Sequence, residues 1–166
     1  MKDMNVSAPD HLKAIEERLR ADGFEIETRQ WANIPVMIGT TKEFRLAWLA
    51  TQQNIFVIAG VIDRIDAEII ASFAKAAMQF ALEQYKGLPR GVQAGVACFP
   101  LLIAPTVDEK AKAWVMNRPR KHFAAFEMPC CFDTSTNTLH YYQKTPIWGA
   151  MYYKSFRRII SRYFCP

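Results

Sequence analysis

Chemistry-bearing motifs are scarce in this chain of 166 residues. Its seven glycines are dispersed. Gly87, Gly91 and Gly95 make no phosphate-cradling loop, and there is no Walker or dinucleotide fingerprint. No G-x-S-x-G elbow occurs. His11, His122 and His140 are scattered and share no metal-ligand spacing, so surface or structural roles are expected for all three. The four cysteines, Cys98, Cys130, Cys131 and Cys165, contain no C-x-x-C, which speaks against zinc and thioredoxin-type redox chemistry. No apolar stretch is long and uncharged enough to span a bilayer. The first 23 residues carry charge throughout and lack an apolar h-region, so no signal peptide is expected. With no disulfide framework either, the expected compartment is a reducing cytoplasm. Nothing calls for a cofactor, a metal or a catalytic group.

The most informative absence is of acid. All 16 Asp and Glu precede Thr134, where they balance 16 of the 21 Lys and Arg. Lys144, Lys154, Arg157, Arg158 and Arg162 therefore supply the whole net charge of +5. A neutral body with a basic C-terminal segment is the expected electrostatic layout.

What is present is core-forming material. With 51% hydrophobic and 13% aromatic residues, the chain can bury enough surface to avoid disorder. It contains no repeat and no linker that would split it, so residues 1–166 read as a single globular domain.

The organising stretch is 54–105. An unbroken apolar run over 55–62 predicts a strand buried on both faces. An amphipathic pattern follows over 66–86. Glu68, Ser72, Lys75, Gln79, Glu83 and Lys86 mark its wet face; Ile70, Phe73, Ala74, Ala77, Phe80 and Ala81 line the other. Asp63 or Asp66 can cap this helix and Gly87 can end it. A second apolar run over 92–104 predicts a further buried strand. Pro100 places it mainly before or mainly after that residue, because proline cannot donate to a central ladder. Parallel pairing of the two strands requires a right-handed crossover.

Around this unit, Ser7-Ala8-Pro9-Asp10 signals a helix start, with Leu12, Ile15 and Leu19 as its apolar stripe and Gly23 as its stop. Residues 24–29 alternate as a half-buried strand. Two more strands are expected at 36–40 and 44–50, with a turn at 39–43, and 51–54 as a polar connection. Thr106 and Glu109 have the capping-box spacing, so a short helix should run to about Met116. The apolar stretch 123–132, the turn chemistry of 133–137 and a strand over 139–143 suggest a hairpin. The expected fold class is α/β, with α+β as the alternative. It combines a mixed sheet, an N-terminal antiparallel meander, a central β-α-β unit and flanking helices.

Of the cysteines, the vicinal pair Cys130-Cys131 is too strained for an ordinary bridge, and buried apolar roles are expected. Arg118, Arg120 and Lys121 are near enough in sequence to leave a lowered thiol pKa open.

The C-terminal segment holds the candidate site. Lys154, Arg158 and Arg162 fall at i, i+4 and i+8 on one helical stripe, with Arg157 beside them. Tyr152, Phe156, Ile159, Ile160 and Tyr163 form the opposite, apolar stripe. The expected face is basic and exposed, with no acid to neutralise it. Tyr141, Tyr142, Trp148, Tyr152 and Tyr153 crowd the same end, and cations beside aromatics suit phosphate contact with base stacking. They equally suit an acidic protein or an anionic membrane surface. Arg118, Arg120, Lys121 and His122 would extend the patch if the fold joins the two clusters. The expected role is a non-enzymatic binding or assembly module for nucleic acid or an acidic protein. Its apolar content would also serve a homo-oligomer.

An alternative comes from element order. On the expected meander, Glu43-Phe44-Arg45 is one acid two positions before a cation, and Glu25 and Glu27 lie on the first strand. The order helix, meander, helix, strand over 9–104 is similar to the core of restriction-endonuclease-like proteins. That resemblance implies an Asp and a (D/E)-x-K pair on adjacent strands, holding a divalent metal for nuclease activity. Here Arg45 stands in place of Lys and no well-placed Asp precedes Glu43. The usual acidic site is expected to be missing.

Overall fold

Ser7 opens the first helix as its spacing predicts. In the computed structural model, which describes residues 6–45, 51–85, 94–117, 119–147 and 150–166, the Ser7 hydroxyl accepts the Asp10 N–H and caps helix α1 (Ala8–Ala21). Ile15 and Leu19 are buried on its inner face, Arg20 pairs with Glu16 at 2.8 Å on the outer one, and Gly23 turns the chain at φ +84°. Only glycine takes that angle without strain.

The meander follows as β1 (Glu25–Trp31), β2 (Ile34–Arg45) and β3 (Thr51–Val61), paired antiparallel in sequence. The turn expected at 39–43 is not there. β2 runs straight through it, pairing Gly39 with Ile26 on one side and Val57 on the other. A Cβ on Gly39 would lie 3.1 Å from Ile26 and 3.2 Å from Leu19, so this glycine admits α1 onto the sheet and makes no turn. Of the strand expected over 44–50, Phe44 and Arg45 belong to β2 and the rest falls outside the described residues. The polar connection 51–54 is also strand. Gln53 and Asn54 are buried because β2 and a further strand flank them.

After the short β4 (Arg64–Ile65), helix α2 (Ala67–Gln84) is capped by Asp66, whose carboxylate accepts the Ile69 N–H at 2.8 Å. Glu68, Ser72, Lys75, Gln79 and Glu83 are exposed, while Ile70, Phe73, Ala74, Ala77 and Ala81 are buried. The helix ends at Gln84; Gly87 lies outside the described residues.

β5 (Ala94–Ala104) pairs in parallel with β3 and passes through Pro100 without a break. Backbone direction explains how. The carbonyls of Cys98 and Ala104 accept N–H groups from Met128 and Thr134, so even-numbered backbone groups of β5 face away from β3. Pro100 therefore lacks a donor only toward the far side. There the neighbour is split into β7 (Ala125–Glu127) and β8 (Cys130–Asp133), whose registers continue one another across Met128 and Pro129. Two prolines thus meet at one gap in the ladder. The Met128 carbonyl, which an N–H at position 100 would have reached, instead accepts the Cys130 thiol at 3.3 Å.

Between β5 and β7 come β6 (Thr106–Val107), which pairs with β4, and helix α3 (Glu109–Met116). Its cap is Asp108, which accepts the Ala111 N–H at 3.0 Å. The expected Thr106 cap is overturned because Thr106 is held in β6. β9 (Thr138–His140) returns antiparallel on β8 and stops before the expected Gln143, and helix α4 (Ala150–Phe164) closes the chain.

Among the described residues the large sheet has seven strands in the order β1-β2-β3-β5-β8-β9, with β7 on β5 ahead of β8. The fold is mixed α/β, with the antiparallel meander and the parallel β3-α2-β5 unit that the sequence predicts. Alternation divides the core in two. Ile55, Val57, Phe99, Leu101 and Phe132 face α1 and α4; Ile38, Phe56, Ile58, Leu102 and Cys131 face α2 and α3. No described helix is long and apolar enough to cross a membrane.

Candidate anion-binding surface on the C-terminal helix

Packing fixes the orientation of α4. Phe156 and Phe164 meet Phe99 edge-on at 5.7 and 6.5 Å, and Ile159, Ile160 and Tyr163 are buried beside them. From α1, Arg18 donates to the carbonyls of Tyr163 (3.0 Å) and Cys165, satisfying groups that a helix end leaves open. With the apolar stripe held inward, Lys154, Arg158 and Arg162 are exposed.

The three cations are not equivalent. Arg162 donates to Asp22 through Nε at 2.6 Å and Nη2 at 2.9 Å, and the Tyr163 hydroxyl donates to the same carboxylate at 2.7 Å. The expectation that no acid neutralises this face is therefore corrected: the acid comes from the α1–β1 corner, far away in sequence. These donors hold the Asp22 carboxyl down to about 2, Arg162 first and Tyr163 second. Burial, then the bond to Asp22, pushes the Tyr163 phenol up to about 12. Arg157 is half-buried and donates to the Lys144 carbonyl (3.3 Å) and the Thr145 hydroxyl (2.8 Å), tying down the segment ahead of the helix. Lys154 and Arg158 make no ion pair with any described residue.

Arg158 and Arg162 line a cleft of about 460 Å³ with Lys42, Thr41, Asp22 and Tyr163. Sequence reading missed Lys42. Its only local signal was turn chemistry, and the register of β2 carries it to this rim. The cleft holds three cations and one carboxylate. A larger groove of about 580 Å³ on the α2 side of the sheet shares Lys42 but is also lined by Glu25 and Glu27. Mixed charge there gives no preference for an anion.

The second basic cluster does not join this surface. Arg120 donates to Glu127 at 2.8 and 3.2 Å, and His122 Nε2 stands 3.2 Å from the same carboxylate. The Glu127 side chain is only 1% exposed. Its strand partner is Cys98, on the sheet face covered by α2 and α3, opposite α4. Arg120 and His122 thus neutralise a buried charge, and Lys121 alone of the three is exposed and free of a described ion pair. Arg118 and Trp148 lie outside the described residues.

The aromatics turn inward as well. Tyr142 and Tyr153 are buried and meet edge-on at 5.8 Å, Tyr152 stacks on Phe126 at 5.0 Å, and Tyr141 is half-buried against the same core. Of the stacking platform expected from composition, these four tyrosines are spent on packing against the core. Large apolar exposure lies elsewhere, at Ile147 (94%) and Phe123 (76%).

The cysteines are buried as expected, except for half-buried Cys165. Burial raises the thiols of Cys98 and Cys130 and pushes Cys131 up to about 12, so the reactivity left open at Cys130-Cys131 is not supported. Glu43 and Arg45, nearest to the nuclease pattern, sit in β2 opposite Gln53 and Thr51 of β3. Neither register partner is a carboxylate. Among the described residues, no three of His, Cys, Asp and Glu gather as a metal would need.

Fold and surface together define a mixed α/β protein with an exposed cationic helix face on α4. Compared with protein-family models, curated proteins and solved structures, the chain finds no match.

Proposed function

We propose that this protein is a non-enzymatic binding module that holds the phosphate backbone of a nucleic acid on the outer face of α4 and in the cleft beside Lys42. The observation that carries the reading is the pair Lys154 and Arg158, exposed one turn apart with no described counter-ion. Like charges at i, i+4 destabilise a helix by about 0.2–0.5 kcal/mol. Interaction with the helix dipole accounts for Arg162, in the last turn, and not for Lys154 near the start. A bound polyanion would relieve that repulsion and release counter-ions. Because the described tyrosines pack inward, the contact rests on phosphates and not on tyrosine stacking.

The test is binding of labelled single- and double-stranded oligonucleotides across salt concentrations, with Lys154→Glu and Arg158→Glu as variants. Arg162 is left intact because it braces the fold. Binding that weakens with salt, and whose salt slope falls by about one for each cation removed, supports the reading. No binding at low salt, or unchanged binding in the double variant, overturns it. Capture of an acidic polypeptide without nucleic-acid binding would move the role to an acidic protein partner.

A metal-dependent nuclease is a second reading. Its support is the element order, since α1, the meander, α2 and a strand parallel to β3 follow one another as the resemblance implies. Metal-dependent cleavage lost on Glu43→Gln would favour it, and no cleavage with any divalent metal would remove it.

A further inference from the structure

β1 is the outermost strand of the large sheet, and no described strand lies beyond it. Its outward hydrogen-bonding groups follow from the ladders. The Ile62 N–H bonds the Ile103 carbonyl, so even-numbered backbone groups of β3 face β5 and odd-numbered ones face β2. Carried through the pairs Gly39↔Val57 and Glu27↔Ile38, this leaves the N–H and C=O of Ile26, Thr28 and Gln30 pointing away from the sheet. Such an edge is a template for another strand.

Edges are commonly blunted by proline or lysine, and β1 has neither. Its charges instead form a self-complementary set. Glu27 and Arg29 flank Thr28 on one face, exposed and paired at 3.1 Å along their own strand. An antiparallel copy that keeps both sheet faces in register must be centred on a residue. Centring on Glu27 or Arg29 opposes like charges, and centring on Ile26 opposes Glu25 to Glu27 twice. Centring on Thr28 sets Glu27 against Arg29 twice, Thr28 against Thr28, and Ile26 against Gln30 twice. Opposite charges and paired threonines are both favourable cross-strand neighbours. The outward backbone groups of Ile26, Thr28 and Gln30 then meet in hydrogen-bonded pairs. The charge pairs fall at the non-hydrogen-bonded positions, where side chains come closest.

We propose that the protein forms a two-fold dimer through β1, joining two sheets into one about Thr28. The partner is a second copy of this chain, because its charges match this edge in that register and an unrelated strand has no reason to match.

Sedimentation of the full chain over a range of concentrations tests this. A reversible dimer is expected. Glu27→Arg should raise its dissociation constant at least about tenfold by opposing arginines across the axis. Adding Arg29→Glu to that variant should restore dimerisation, since the swapped signs are again complementary. Thr28→Pro, which removes an outward donor and no β2 bond, should leave a folded monomer. A parent protein that stays monomeric overturns the proposal. So does a Glu27→Arg variant that dimerises as well as the parent, or a folded double variant that remains monomeric. Should Thr28→Pro fail to fold, the charge swap alone decides.

Discussion

Arg162 on the last helix reaches Asp22 at the first corner of the chain, at 2.6 and 2.9 Å through two nitrogens. The pair is exposed, so its strength in water is modest, but it fixes which cations remain available. Arg162 is committed to the fold, and Lys154 and Arg158 are not.

Replacing Asp22 with Asn should therefore act in two ways. Oligonucleotide affinity should rise about two- to fivefold, because one negative charge leaves the cleft rim. The melting temperature should fall slightly. That fall should depend on pH with a defined sign. The carboxyl is depressed from 3.8 to about 2 in the fold, so its contribution is complete above 3.8 and disappears as pH falls through about 2. Thermal melts of parent and variant should converge at that acid limit.

His11, near the start of α1, gives the fold a second pH response. The ring is 1% exposed, stacks on Phe132 at 3.8 Å, donates to the Phe164 carbonyl, and leaves Nε2 without a partner. Burial first, and Arg18 second, lower its pKa below 6.5. The unfolded chain then binds the proton more readily, so stability should drop as pH falls below 6.5 toward the folded value. His11→Phe should flatten that slope and lose about 1 kcal/mol at neutral pH from the missing hydrogen bond. Denaturant melts between pH 5 and 8 would show both.

Glu127 is a buried charge whose partners are on the surface side. Arg120→Ala should destabilise by about 3 kcal/mol, because the carboxylate inside loses its two-nitrogen partner and keeps only His122. Lys121→Ala, next in sequence and exposed, should change stability by less than about 0.5 kcal/mol. Equal losses in the two variants would contradict the assignment of Arg120 to Glu127.

The paired prolines make a directional prediction. Pro100→Ala should shift stability by less than about 1 kcal/mol, since the new N–H faces a carbonyl and the lost ring only loosens the unfolded chain. Leu101→Pro should cost on the order of 3 kcal/mol or more. Its N–H faces β3, and removing it orphans a buried carbonyl.

Much of the scaffold was legible because it rests on local chemistry. Ser7, Gly23 and Asp66 act where their residue types predict, and the wet face of α2 is the one its charged residues mark. The errors share one cause. Gly39, Thr106 and Pro100 each carry a strong local preference, for a turn, a cap and a strand break. Each is overridden by a partner remote in sequence: Leu19 of α1 against Gly39, β4 against Thr106, and the gap at Pro129 opposite Pro100. Around the candidate site the cations were visible in the sequence and their counter-ions were not. Helical spacing places Lys154, Arg158 and Arg162 on one stripe. Nothing in the spacing reveals that Asp22 occupies one of them, that Glu127 occupies Arg120, or that Lys42 joins the rim.

The sequence by itself determined the helices, the two-sided burial of the central strands and the cationic stripe of α4, because periodicity and caps act within a few residues. Tertiary structure alone decided which charges are free, which aromatics are core and which edge is open. Those depend on what packs against each group, and electrostatic and hydrophobic energies are set by distance in space, whatever the separation along the chain.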